Sequence, residues 1–199
     1  PERQDALINM GNIHFDNGSL DTAIVCFQKA LFANSADKQL TDQANINLAN
    51  TYRRQGKDVR AIETYEQVLR SGEFRAGLRI KQAMTLPVVY RDHLQINDSR
   101  NRLENELVKI ARTDLVVLDP ALEVASTNFF LAYQAKSNRV LQEKTAELML
   151  KACPALNFSA PHCEVSRCRG GKIKVGFISA YFRRHSIGRL MRGLIENLS

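Results

Sequence analysis

The sequence predicts a mainly α-helical protein, a solenoid of helical repeats followed by the first strand–helix unit of a doubly wound α/β domain. Two observations predict this fold class. The first part of the chain matches itself at an offset of 38 residues, and a repeat of about this period is the signature of a solenoid. Near the other end, an apolar run, a basic loop and a helical pattern follow one another, as they do where a doubly wound domain begins.

The helical repeats are predicted in residues 1–74. The matched residues are Ile8-Asn9-Met10-Gly11-Asn12 with Ile46-Asn47-Leu48-Ala49-Asn50, Gly18 with Gly56, Ala23-Ile24 with Ala61-Ile62, Phe27 with Tyr65, and Leu31 with Leu69. Small residues let two helices approach, and aromatic residues fill the space between them. This order resembles the tetratricopeptide repeat, which consists of two antiparallel helices. Its usual period is about 34 residues, so we place the extra residues in the polar segment 33–38.

Four asparagines occupy matched positions on the first helix of each repeat, Asn9, Asn12, Asn47 and Asn50. Residues three apart share a helix face, and in such a repeat the first helix lines the concave side. Side-chain amides can hydrogen-bond the backbone of an extended peptide with little regard for its sequence, so these four are candidates for binding an acceptor peptide. The alternative is a merely polar helix face. A groove for carboxylate tails is not expected, because Ile8 and Ile46 stand where Lys or Arg would be needed.

Residues 75–155 are predicted to extend the helical part, and residues 156–171 to link it to the last unit. Helices are expected at 73–86 (ended by Pro87), after a cap at Asp98-Ser99, at 121–135 and at 139–152, from the apolar period and the caps. The aromatic residues in the third of these helices are predicted to lie in the core. They are Phe129, Phe130 and Tyr133.

The charge, the hydropathy and the cysteine content argue against a nucleic-acid-binding, a membrane-spanning or a metal-binding protein. The net charge of +7 arises in residues 165–199, which carry eight Arg or Lys against Glu196 alone, so we expect no nucleic-acid-binding surface along the chain. No apolar run reaches the roughly 20 residues of a membrane span, and we expect a cytoplasmic protein with reduced cysteines. No metal is expected, because no CxxC pair occurs among the candidate zinc ligands. These ligands are Cys153, His162, Cys163 and Cys168.

The last part of the chain carries the most specific pattern. Residues 172–179 are apolar with one glycine and predict a short buried strand, and residues 187–198 have the apolar spacing of a helix. The loop between them contains Arg183 and Arg184. Ligands of doubly wound domains bind beyond the carboxyl ends of the strands, so these arginines belong either to an anion site or to a solvated loop. Because the chain stops one unit into such a domain, we expect it to be the front of a longer enzyme.

Several segments resemble one family. The repeats, with Asn-Leu-Ala-Asn at 47–50, are similar to those of protein O-GlcNAc transferases, whose superhelix carries a ladder of asparagines. Segment 173–191, Ile-Lys-Val-Gly-Phe-Ile-Ser-Ala-Tyr-Phe-Arg-Arg-His-Ser-Ile-Gly-Arg-Leu-Met, is similar to the start of their catalytic region, most specifically at 176–185. Segments 127–133 and 152–156 are similar to bacterial members of the SPINDLY type.

The resemblance implies a GT-B glycosyltransferase of two Rossmann-like halves, inverting and metal-independent. Such an enzyme moves a sugar from a nucleotide-sugar donor, its co-substrate, to Ser or Thr of a protein bound by the repeats, and it uses no cofactor. The family's loop histidine falls on His185, near the acceptor and the donor phosphates. There a neutral imidazole accepts the hydroxyl proton, or a protonated one steadies the diphosphate; alternatively His185 only caps or packs the loop. The resemblance places four more residues near the donor phosphates, at a helix start that favours anions: Arg184, Ser186, Ile187 and Gly188.

The sequence departs from the family at Arg189, where animal enzymes carry a second histidine. The resemblance therefore implies neither the role of that histidine nor the identity of the donor sugar for this chain. The family's nucleotide-binding residues lie in the second half of the catalytic region. We therefore expect residues 1–199 alone to have no transferase activity and little affinity for nucleotide sugars. Two alternatives remain, a non-catalytic repeat scaffold or adaptor for protein–protein interaction, and an N-glycosyltransferase that joins a helical domain to a GT-B core.

Overall fold

The structure is a computed structural model that describes residues 3–33, 37–70, 75–161 and 175–198. The chain divides into two compact units, Pro1–Phe158 and Ser159–Ser199. The described residues are mainly helical, and no strand occurs among them. None of the helices within these ranges is long and apolar enough to cross a membrane.

The first unit is built from helices that follow one another along the chain. They are α1 (Gln4–Asp16), α2 (Leu20–Phe32), α3 (Lys38–Arg54), α4 (Asp58–Arg70), α5 (Ala76–Ala83), α6 (His93–Ala111), α7 (Pro120–Glu123) and α8 (Arg139–Ala152). Two short 3₁₀ helices, Phe129–Gln134 and Pro154–Asn157, lie before and after α8.

Helices α1 to α4 form two helical pairs, which are the two repeats predicted from the sequence. Each pair turns at a glycine with positive φ, +78° at Gly18 and +74° at Gly56. Glycine adopts this conformation without steric cost, whereas residues with a Cβ atom do not. These two glycines are matched in the self-alignment, so the same turn forms in both repeats.

A small residue beneath an aromatic ring sets how closely the paired helices approach. A Cβ atom added to Gly11 would lie 2.4 Å from Cε1 of Phe27, so the ring packs directly on the backbone of α1. In the second repeat, Ala49 and Tyr65 occupy the matched positions and both are fully buried. The small-and-aromatic pattern in the sequence therefore corresponds to tight helix packing in each repeat.

Two hydrophobic cores lie within the first unit. The first core joins the two repeats, and the second extends from α5 to Cys153. Leu78 of α5 belongs to the first core and Ile80 of the same helix belongs to the second. Helix α5 therefore packs on both sides and connects the repeats to the helices that follow.

Helix α6 begins earlier than the sequence predicted. Its N-cap is Asp92, whose carboxylate accepts a hydrogen bond from the backbone N–H of Gln95 at 2.8 Å, while Asp98 and Ser99 lie inside the helix. Both positions carry a residue suited to capping. The earlier start is the one that brings Ile96 into the helix as a buried residue, and the prediction of a cap at Asp98-Ser99 is wrong.

The predicted helix at 121–135 is interrupted. Helix α7 ends at Glu123, and Ala125 then adopts a positive φ of 45°, which a helix cannot contain. The chain resumes as the 3₁₀ helix Phe129–Gln134.

The 3₁₀ geometry also changes which aromatic side chains are buried. With three residues per turn, Leu131 and Gln134 share the buried face, while Phe129 and Tyr133 are each 62% exposed. The prediction that these two residues lie in the core is wrong. Phe130 does pack against the second core.

The second unit contains helix α9 (Ser186–Glu196). Residues 172–174 of the predicted strand lie outside the described residues, and residues 175–179 are irregular. A strand forms only when a neighbouring segment accepts and donates its backbone hydrogen bonds, and no described segment does so here. Ile178, expected to be buried in that strand, is fully exposed.

We expect Gly11→Ala to lower the free energy of unfolding by about 1–3 kcal/mol, the usual cost of overpacking a core, although alanine has the higher helix propensity. Chemical denaturation followed by circular dichroism measures this change. Met10→Ala is the matched control, because Met10 is next in sequence and 50% exposed. It should cost less than Gly11→Ala, and equal effects of the two substitutions would contradict the packing role of Phe27.

Candidate functional site

A groove lies in the first unit between α3 and α5 on one side and segment 114–130 on the other. We call it the inner groove, and segment 114–130 the crossing segment. The crossing segment is fixed to α8, where Val117 N–H donates to the Ala152 carbonyl at 2.8 Å and Asn128 Nδ2 donates to Thr145 Oγ1 at 2.7 Å. One wall of the inner groove is therefore held by the second core.

The crossing segment also touches the opposite wall at two points. A Cβ atom added to Gly77 would lie 2.4 Å from Cβ of Glu123, so α5 and α7 are in backbone-level contact. One guanidinium nitrogen of Arg53 donates to Ser126 Oγ at 2.7 Å. The groove thus contains two cavities, both of which reach Asn50.

The larger cavity, of about 690 Å³, lies between α3, α5 and the first half of the crossing segment. We call it the Lys81 compartment. The smaller cavity, of about 550 Å³, includes Phe15 of α1 and the second half of the crossing segment, and we call it the Phe15 compartment. The Lys81 compartment is lined on α3 by Gln43, Ile46, Asn47 and Asn50.

The structure brings two of the predicted asparagines into direct contact. Asn47 Nδ2 donates to Asn12 Oδ1 at 2.8 Å, and Asn47 Oδ1 accepts from Gln43 Nε2 at 2.8 Å. Both polar atoms of the Asn47 amide are therefore engaged. The Asn12 amide nitrogen makes no hydrogen bond within the described ranges, and Asn12 is only partly buried, so its two N–H groups are available to a ligand.

A residue of the first core fixes the orientation of the Asn50 side chain. The hydroxyl of Tyr65, a fully buried residue, donates to Asn50 Oδ1 at 2.6 Å. Burial raises the pKa of Tyr65 to about 12, with a smaller opposing effect from Arg53, so the hydroxyl stays protonated and keeps donating. This bond fixes the Asn50 amide with its nitrogen unbonded to any described residue, in the wall shared by both compartments.

Asn9 has a different environment from its matched partner Asn47. It is exposed on α1 and makes no hydrogen bond to another asparagine in the part of the chain that the structure describes. The four predicted residues therefore comprise a bonded pair, Asn12 and Asn47, a tyrosine-anchored amide, Asn50, and a solvated one, Asn9.

Lys81 is a groove residue that the sequence analysis missed. It lies on α5, is only 7% exposed, and lines the Lys81 compartment. Its ammonium group forms no ion pair or hydrogen bond with any described residue. Burial lowers the pKa of Lys81, and the positive charge of Arg53 lowers it further. No signal in the repeat pattern pointed to Lys81, because α5 follows the two matched units.

The predicted loop histidine caps α9. His185 Nδ1 accepts a hydrogen bond from the backbone N–H of Ile187 at 3.2 Å, and its ring lies 4.6 Å from that of Tyr181, centroid to centroid. A neutral histidine whose Nδ1 accepts carries its proton on Nε2. The side chain is partly exposed and its Nε2 has no partner among the described residues, so Nε2–H can donate to a ligand.

The other residues predicted near the donor phosphates surround this cap. The Ile187 amide is already bonded to His185, while Arg184 and Ser186 are exposed. A Cβ atom added to Gly188 would lie 2.6 Å from the carbonyl oxygen of Arg183, so the loop packs on the first turn of α9. The loop thus places Arg184, His185 and Ser186 together at one helix start.

No group of three or more potential metal ligands occurs among the described residues. The zinc candidates His162, Cys163 and Cys168 lie outside those residues. Cys153 is buried in the second core.

The fold and groove define a helical-repeat protein, and comparison with known proteins identifies the repeats. Residues 2–73 match the family model described as tetratricopeptide repeat. The chain therefore contains tetratricopeptide repeats, which confirms the prediction for its first part and implies a protein–protein interaction module. No curated protein and no solved structure matches the chain.

The depressed pKa of Lys81 predicts a pH-dependent stability. Above the folded-state pKa and up to about the ordinary value of 10.5, the unfolded chain binds more protons at this residue than the folded chain. The stability of the wild type should therefore rise with pH across that window. Lys81→Met removes the buried charge, so it should be more stable than the wild type near neutral pH, by a margin that narrows as pH increases. Urea unfolding of both proteins at a series of pH values measures this, and a constant difference would contradict it.

Proposed function

We propose that the first unit binds an extended segment of a partner protein in the inner groove. The observation that carries this proposal is the fixed orientation of Asn50, which lines both compartments and is held through its carbonyl oxygen with its amide nitrogen left for a ligand. Asn12 is held in the same way by Asn47, a residue that lines the Lys81 compartment. A backbone carbonyl is the acceptor that every peptide offers, so such donors bind an extended chain with little dependence on sequence.

The rest of the groove suits a peptide as well. The Phe15 compartment has apolar side chains beside its polar wall, among them Phe15, Met84 and Leu86. Recognition of an extended peptide has two components: amides that hydrogen-bond its backbone, and apolar surfaces that contact its side chains. The tetratricopeptide repeats, which imply protein–protein interaction, support the same proposal.

We expect Asn12→Ala and Asn50→Ala each to weaken peptide binding roughly five- to tenfold, since one lost hydrogen bond costs about 1 kcal/mol. The probes are short unstructured peptides selected on the wild-type protein from a displayed random library, and calorimetry measures their affinity. Asn101→Ala is the matched control, because Asn101 is an exposed asparagine on α6. Affinity that is unchanged in both groove variants, or lowered equally in the control, would contradict binding in the inner groove.

We further propose, as a second candidate, that this arm presents acceptor proteins to an inverting, metal-independent O-glycosyltransferase of the O-GlcNAc transferase or SPINDLY type. The likeness of segment 173–191 to the start of that catalytic region favours it. In this proposal the protein is cytoplasmic, the donor is a nucleotide sugar, and neither nucleic acid nor a membrane takes part. A non-catalytic tetratricopeptide scaffold is the alternative.

Within that proposal the geometry of His185 favours one of its two roles. Because Nδ1 accepts from Ile187, the neutral ring presents Nε2–H, which is a donor and not a base. His185 would then steady an oxygen of the donor diphosphate, beside Arg184 and the start of α9, rather than remove the proton of the acceptor hydroxyl.

Two substitutions at His185 separate helix capping from a role in sugar transfer, in the full-length enzyme that this proposal assumes. Asparagine is a good N-cap residue, so His185→Asn should preserve the start of α9, whereas His185→Ala should lose the cap as well. We expect both to lower turnover, by about a hundredfold or more for loss of a positioned hydrogen-bond donor to developing negative charge, as measured by sugar transfer to a protein acceptor. Full turnover in His185→Asn would reduce His185 to a helix cap, and absence of any transfer by the wild-type parent would favour the scaffold.

A further inference from the structure

The turn between α1 and α2 contains a chemically reactive pair, Asn17 followed by Gly18. This is the only place in the sequence where a glycine follows an asparagine. Asparagine is thermolabile, because a backbone nitrogen can attack its side-chain amide. The attack is least hindered when that nitrogen belongs to glycine, which has no Cβ atom. Asn17 is exposed, and its side-chain amide makes no hydrogen bond within the described ranges.

The reaction that this pair allows converts the Asn17 amide into a carboxylate through a cyclic imide. The backbone nitrogen of Gly18 loses its proton to water or hydroxide and bonds to Cγ of Asn17, while the Cγ–Nδ2 bond breaks and ammonia leaves. Water then opens the five-membered imide at either of its carbonyls, which yields an aspartate or an isoaspartate. Because the nitrogen must lose its proton, the reaction becomes faster as the pH rises.

The hydrogen bonds of the native turn oppose the first step. The Gly18 N–H donates to the Phe15 carbonyl at 3.0 Å. The next N–H, that of Ser19, donates to the His14 carbonyl at 2.9 Å. Together these bonds form the Schellman motif that ends many helices. The nitrogen that would attack Asn17 is therefore already engaged through its proton.

The backbone angle of Asn17 also prevents ring closure. Its ψ is −2°, so the Gly18 nitrogen nearly eclipses the backbone nitrogen of Asn17 itself. The substituents of a tetrahedral Cα are spaced about a third of a turn apart around the Cα–C bond, so Cβ of Asn17 points away from the Gly18 nitrogen. The nearly planar imide needs these two atoms on the same side. Asn17 can therefore react only after the turn opens.

We propose that Asn17 is a site of spontaneous deamidation whose rate is set by opening of the turn at Gly18. Local openings at the ends of helices cost less free energy than unfolding of the core, so a small open population supplies the reaction under native conditions. Because the ammonia is lost, the modification is not reversed and accumulates with the age of the protein.

The isoaspartate product does not fit the native turn. Its main chain runs through the former side chain and is longer by one methylene group, so the hydrogen bonds of the turn lose their register. The new carboxylate also lies at the C-terminal end of α1, where the helix dipole disfavours negative charge.

The effect of this change reaches α3 through one carbonyl group. The Phe15 carbonyl that accepts from Gly18 also accepts from the guanidinium of Arg54 at 2.7 Å. The same guanidinium lies 4.7 Å from the centre of the Phe15 ring. Deamidation at Asn17 therefore loosens the end of α1 where it meets α3.

The second repeat supplies an internal control. Its turn has the same two hydrogen bonds, from Gly56 N–H to the Arg53 carbonyl at 3.0 Å and from Lys57 N–H to the Tyr52 carbonyl at 2.9 Å. Gln55 stands there in place of the asparagine. Attack on a glutamine amide closes a six-membered ring, which forms much more slowly. The two turns therefore share one backbone geometry and differ in the reactivity of one side chain.

The test incubates the full chain of 199 residues at mildly alkaline pH, in buffer and in guanidinium chloride, and follows every asparagine by peptide mapping with mass spectrometry. In the denatured chain we expect Asn17 to be converted before any other asparagine. In buffer we expect its conversion to be about tenfold or more slower, as for a turn that is open about a tenth of the time or less. Asn17→Gln should remove this site, and Gln55→Asn should create a second one at the matched turn.

Three results would overturn the proposal. Earlier conversion of another asparagine in the denatured chain would show that Asn17 is not the preferred site. Equal rates in buffer and in guanidinium chloride would show that the turn does not control the reaction. Absence of conversion at the matched turn of denatured Gln55→Asn would show that an asparagine before a glycine does not suffice.

A second measurement tests the consequence for the fold. Wild type and Asn17→Gln are aged side by side in denaturant and refolded, so that damage at other residues is common to both. We expect aged wild type to unfold at a lower denaturant concentration than aged Asn17→Gln, whereas the two fresh proteins should unfold alike. Fresh Asn17→Asp, which has the charge without the longer main chain, should lose less stability than the aged wild type. Equal unfolding midpoints of the two aged proteins would show that the product still fits the turn.

Discussion

The packing of one aromatic ring against one small residue, made once in each repeat, is the constraint on which the rest of the first unit depends. Phe27 lies against Gly11, and Tyr65 occupies the matched place relative to Ala49. In front of the same core, Asn12 of α1 bonds Asn47 of α3. The Tyr65 ring belongs to the core while its hydroxyl fixes Asn50, so the polar wall of the inner groove is positioned by the apolar packing behind it.

The repeats could be predicted from the sequence because turn glycine, small residue and aromatic residue all recur at the same offset. The helices that follow have no second copy in the sequence, so no match at a fixed offset supports the predicted start and end of each one. Asp92 and Asp98 are equally good caps by local rules, and the helix that begins after Asp92 is the one that includes the buried residue Ile96. At Ala125 a positive φ ends the helical path, which no residue in the predicted helix signals, since alanine is a strong helix former.

The asparagines of the candidate site were predictable because they too recur at the repeat offset. Sequence matching pairs Asn9 with Asn47 and Asn12 with Asn50, but hydrogen bonding pairs Asn12 with Asn47, because adjacent helices meet at positions offset along their length. Lys81 could not be found this way, since it is marked by burial with no partner among the described residues, which only the folded structure reveals. For His185 the sequence indicated a loop histidine, and the bond to Ile187 identifies the nitrogen that faces outward.

The crossing segment has a consequence for how the two cores communicate. It is tied to α8 through Val117 and Asn128 and to α3 through the Arg53–Ser126 bond. A segment bound in the inner groove as proposed would therefore contact a wall that is anchored to the second core. If the inner groove binds a segment as proposed, the free energy that couples this wall to α8 acts in both directions. A bound segment that stabilises the wall then stabilises α8, and a substitution that destabilises α8 weakens binding by no more than that coupling free energy.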